Sequence, residues 1–141
     1  MEFWQQLLER ARVRTQLHAR IAPGTDNWIS AGAGKSDLGY NYAIRMDDAQ
    51  VELYIDRGDA EQNKQIFDAL HAHKAEIEAA FGAPLEWQRL DAKRACRVRY
   101  VLTDGGLQDQ PRWHKIQDAM IEAMIRLERA MKPQIQRLKN G

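Results

Sequence analysis

Gly34-Lys35-Ser36, inside "WISAGAGKSD", has the ending of a phosphate-binding loop. Such a loop needs a glycine five residues before the Gly-Lys-Ser/Thr end, and it must join a strand to a helix. The early glycine position is occupied by Ile29, whose β-branched side chain disfavours the positive φ the curl requires. Downstream, "DLGYNYAIRM" alternates as a strand, so no helix N-terminus is aimed at a phosphate. The run therefore reads as a turn between strands with no nucleotide bound, and Lys35 reads as an exposed loop lysine, at most a phosphate contact at its tip.

Other residue combinations bear on catalysis. His71 and His73 are two apart on a predicted helix and diverge, a spacing that suits a metal site on a strand. A nuclease site pairs acidic residues with a lysine around a metal ion. Glu52-Leu53-Tyr54 and Glu86-Trp87-Gln88 lack that lysine, and Asp91-Ala92-Lys93 falls in a predicted turn. Asp48, Glu52 and Glu86 are the carboxylates a divergent nuclease would use for a metal. The expectation is no metal, no cofactor and no catalytic residue. Cys96, the single cysteine, shares a strand face with Val98 and Tyr100 and reads as core.

Charge layout is the next signal. The chain has 141 residues and a net charge of +1, so affinity for nucleic acid would have to come from local patches. Residues 85–103 carry +3, residues 1–21 carry +2 and residues 37–61 carry −5. Arg97 and Arg99 alternate with the apolar set and share the opposite strand face. With Arg94 and Lys35 they are the candidate nucleic-acid contacts, with Trp4, Trp28 or Trp113 for stacking. The competing reading pairs these arginines with the acidic hairpin of the same domain, or leaves them solvated.

The elements that must position these residues follow from periodicity. Phe3, Leu7, Leu8, Ala11 and Leu17 predict a helix over residues 2–20, ended by "APG". Trp28-Ile29 opens a strand. "YNYAIRM" places Tyr40, Tyr42, Ile44 and Met46 on one face, and "QVELYID" does the same for Val51, Leu53 and Ile55, with "DDAQ" as the turn. A helix over 60–81 starts at Asp59 and closes at Gly82 with Pro84. Strands in "LEWQRL" and "RACRVRYVL" follow. A final helix from near Pro111 carries Ile116, Met120, Met124, Leu127, Met131 and Ile135 on one side, with Pro133 expected to kink or end it. The order α-β-β-β-α-β-β-α makes residues 1–141 a single α+β domain with its sheet against helices; a restriction-endonuclease-like α/β core is the alternative. No apolar run approaches the ~18 residues of a bilayer span. One cysteine and a charged N-terminal stretch make the cytoplasm the expected location.

Several signatures together resemble an uncharacterised bacterial and archaeal family, a domain of unknown function. They are Phe3-Trp4, "WISAGAG", "VELYID", "IFDALHAHKAEIEAAFGAPLEWQRL" and "RACRV". Members of that family look like C-terminal modules of restriction-endonuclease-like proteins, with short stand-alone copies. The resemblance implies a setting in nucleic-acid metabolism or defence against foreign DNA, and it brings no catalytic residues. The expectation is a non-catalytic accessory domain associated with nucleic acid. The alternatives are a protein-interaction or homodimerisation module using the Met-rich final helix, and a divergent nuclease-fold domain.

Overall fold

The computed structural model describes residues 1–34 and 37–138. Helix α1 (Glu2–Arg12) is followed by strands β1 (Trp28–Gly32), β2 (Leu38–Ile44) and β3 (Ala49–Ile55). Helices α2 (Ala60–His71) and α3 (Lys74–Phe81), strands β4 (Glu86–Gln88) and β5 (Cys96–Leu102), and helix α4 (Trp113–Gln136) complete it. The strands form one five-stranded sheet in the order β1-β2-β3-β5-β4, and every neighbouring pair is antiparallel. This is an α+β fold with the expected element sequence, apart from a division of the middle helix. The wholly antiparallel sheet takes the place of the α/β alternative.

Alternation sets the two faces of the sheet. Tyr40, Tyr42 and Ile44 on β2, Val51, Leu53 and Ile55 on β3, and Cys96 and Val98 on β5 are all buried. They meet Phe3, Trp4, Leu7 and Leu8 of α1 and the apolar side of α4 in one core. Ile116, Met120, Met124, Leu127, Met131 and Ile135 are each at most 2% exposed, so the methionine stripe belongs to the interior of this chain.

Several boundaries differ from expectation. Helix α1 stops at Arg12, well short of residue 20. The Thr15 hydroxyl accepts a bond from the Leu17 amide, an alternative to the helical ladder. The turns that follow bring His18 into the core, where its Nε2 lies 3.0 Å from the Tyr40 carbonyl oxygen. The middle helix breaks at Ala72-His73, so α2 packs on β3 and β5 while α3 packs on α4. Met46 lies beyond β2 and is 56% exposed. Pro133 neither ends nor splits α4, which runs to Gln136. Its missing N–H removes one ladder bond in the last turns, a loss the burial of Met131, Gln134 and Ile135 offsets.

Candidate functional site: the helix-free face of the sheet

Successive residues of a strand point to opposite faces, so the apolar set against the helices leaves a complementary set on the other side. Register aligns that set across strands. One row runs Ser30, Asn41, Glu52, Arg99, Glu86, and the next runs Gly32, Gly39, Tyr54, Arg97, Gln88. Trp28, Ala43 and Gln50 begin a third. All of these except Arg99, Glu86 and Gln88 line a groove of about 730 Å³, extended at its ends by Asn27, Asp37 and Arg45. That volume falls within the usual range of ligand clefts.

A hydrogen-bonded polar chain forms the floor. Glu52, 5% exposed, accepts from Asn41 Nδ2 through Oε1 and from Gln50 Nε2 through Oε2, each at 3.2 Å. Gln50 Oε1 in turn accepts from Arg45 Nη1 and Arg99 Nη1, both at 2.9 Å. Arg97 Nη1 lies 3.5 Å from Glu52 Oε2, and its guanidinium sits 5.8 Å from the centre of the Tyr54 ring. Arg99 also reaches Glu86 at 3.3 Å. A carboxylate only accepts, so Glu52 fixes the amide orientation of both Asn41 and Gln50.

The turn after β2 holds Arg45 in place. Asp48 accepts from its guanidinium, and the backbone amides of Leu107 and Gln108 bond the Arg45 and Met46 carbonyls. Gly106 makes this approach possible, because a Cβ there would fall 2.3 Å from the Arg45 carbonyl oxygen.

The arginines named from sequence thus separate. Arg97 and Arg99 share the groove face and are paired internally with Glu52 and Glu86. Arg94 instead forms a two-pronged pair with Asp56 beyond the end of β3, beside α2. That contact is the main reason the Asp56 carboxyl is held below its ordinary range. Lys35 lies outside the described residues; β1 and β2, before and after it in the chain, pair antiparallel. Asp48, Glu52 and Glu86 are engaged by Arg45, Arg97 and Arg99 respectively. Among the described residues no group of three or more His, Cys, Asp or Glu side chains is arranged to hold a metal ion.

Of the tryptophans considered for stacking, Trp4 is fully buried and Trp113 partly buried, whereas Trp28 is 50% exposed on the groove rim. The groove residues Ser30, Asn41, Arg45, Gln50 and Tyr54 were not singled out from sequence. The signal that could have found them is the complement of the apolar alternation already assigned to β2 and β3.

Charge is nearly balanced across this surface, and three buried polar atoms on it have no partner among the described residues: Asn41 Oδ1, Arg97 Nε and Arg99 Nε. An unmet buried donor or acceptor costs about 1–3 kcal/mol. Polar satisfaction is therefore incomplete on this face, a pattern that favours an incoming polar ligand.

The family model described as "Domain of unknown function (DUF4268)" matches residues 1–135. No curated protein and no solved structure matches the chain.

Proposed function

The chain belongs to the DUF4268 family, a domain of unknown function, and from its own geometry we propose a non-catalytic module that binds single-stranded nucleic acid on the helix-free face of its sheet. The observation that carries this reading is the groove itself: an antiparallel sheet face with a half-exposed tryptophan on its rim and, within it, a tyrosine next to an arginine. Unpaired bases stack on aromatic rings and guanidinium planes, and their edges hydrogen-bond with amide side chains such as Asn41. A duplex buries its base faces and gains nothing from such a surface.

The internal pairing of Arg97 and Arg99 shapes the expectation. Cations already matched by Glu52 and Glu86 release few counterions on binding, so affinity is carried more by stacking than by phosphate contacts. The setting we propose is bacterial or archaeal and cytoplasmic, as an accessory to restriction-endonuclease-like domains. Self-association through α4 is a weaker reading, because the methionines that prompted it face the core.

The test is fluorescence anisotropy of labelled single-stranded and duplex DNA and RNA at low and moderate salt, for the unaltered protein and for Trp28→Ala. The expected result is single-strand binding with a shallow salt dependence, weakened about tenfold by Trp28→Ala, in line with ~1–3 kcal/mol per stacked base. No binding at low salt, or binding indifferent to Trp28, would remove the proposal.

A further inference from the structure

The groove is not uniform along its length. At the β1–β2 end two glycines, Gly32 and Gly39, stand directly opposite each other. They do different things. The missing side chain of Gly39 lets Ser30 fold over it: a Cβ there would lie 2.7 Å from Ser30 Oγ and 3.5 Å from Asn41 Oδ1. A hydroxyl and an amide oxygen are thereby gathered at one point. Above Gly32, which is exposed, a Cβ would meet no described atom within 4 Å, so the neighbouring position is open, with bare backbone as its floor. Tyr54 stands on the far side of Gly39.

Asn41 supplies the second, independent sign. It is only 6% exposed, its Nδ2 is committed to Glu52, and its Oδ1 has no donor among the described residues. Because Glu52 cannot donate as a carboxylate, the amide cannot flip to relieve this. The floor beside the empty space therefore carries an acceptor waiting for an N–H, next to a hydroxyl that can donate or accept.

We propose that the space over Gly32 is a subsite for one nucleobase, a planar heteroaromatic ring whose N–H edge faces Asn41 Oδ1 and Ser30 Oγ. This rests on the single-strand reading and deepens it, by assigning one base to a defined place in the groove. A flat ring can approach the backbone at Gly32 as a residue with a side chain would not allow. The polar pair reads its edge, where donor and acceptor lie side by side. The nucleobase needs no phosphate to be held here, which separates this subsite from contacts made by arginines.

The experiment uses the 15N-labelled full chain and the free nucleosides adenosine, guanosine, cytidine and uridine, each without a phosphate. At least one is expected to shift the amides of Ser30, Gly32, Gly39 and Asn41. Gly32→Ile should abolish those shifts while leaving the fold intact, since a β-branched residue suits a strand and its Cβ meets no described atom there. Ser30→Ala should weaken them and leave the fold intact. No shift at these amides with any nucleoside, or unaltered shifts in Gly32→Ile, overturns the subsite. The oligonucleotide arm separates the two claims. If single strands bind while nucleosides do not, the subsite falls and the single-strand reading stands; nucleosides binding without oligonucleotides gives the converse.

Discussion

At the scale of single residues, two buried polar side chains carry distinct consequences. His18 is 1% exposed, and burial pushes its imidazole below the ordinary value, opposed only in part by the bond to the Tyr40 carbonyl. A depressed folded value means the unfolded chain takes up a proton first. His18 thus contributes stability that is fully present above the unfolded value of 6.5 and is lost as pH falls below it. His18→Gln is expected to flatten the decline of urea stability between about pH 6.5 and 5; an unchanged slope would show that His18 is not buried neutral. The Asp56, Asp68 and Glu78 carboxyls, each held low mainly by Arg94, by Arg89 and by the Leu85 amide respectively, add a second decline in more acid solution. Glu52 is the other case. In Glu52→Gln one of the two amide donors it now accepts, from Asn41 or Gln50, meets an N–H instead of an oxygen. A loss of about 1–3 kcal/mol in denaturant unfolding follows, with the groove disturbed. None of this was visible from Glu52 read as a metal carboxylate, because its partners come from β2 and β5 as well as its own strand.

Elements bring those residues together, and their legibility varied with how local their causes are. Strands β2, β3 and β5 were readable because alternation is a local pattern and a buried face enforces it. The capping of α2 by Asp59 and the left-handed Gly82 after α3 were equally local. The break at Ala72-His73 was not, since neither glycine nor proline marks it and packing of α3 on α4 sets its direction. The short β4–β5 connection has a similarly distant cause. Lys64 of α2 donates from Nζ to the carbonyls of Arg89, Leu90 and Lys93 at 2.6, 2.9 and 2.8 Å, drawing those residues out of the ladder. Lys64→Met keeps the stem and removes the donors. It should cost about 2–3 kcal/mol and loosen residues 89–95 in hydrogen exchange; full protection in that variant would show that the turn holds itself.

For the molecule as a whole, the helices gather on one face of an antiparallel sheet and leave the other face polar and concave. The α+β class and the element order were available from sequence; the surface that this arrangement exposes was not. Arg97 and Arg99 were placed on the right face by parity, but which acids neutralise them depends on the order in which strands pair. Arg94, equally basic and close in sequence, lies with Asp56 instead.

The four tryptophans offer the most direct test of the central claim. The indoles of Trp4, Trp87 and Trp113 donate to Asp26, Glu78 and Leu107 within the fold, while Trp28 stands half exposed at the groove rim. The measurement is the indole N–H region of the 15N spectrum during titration with a short single-stranded oligonucleotide. Binding on the helix-free face predicts that the Trp28 signal moves and the other three stay. A stationary Trp28 signal, or movement led by Trp4 or Trp113, would contradict it.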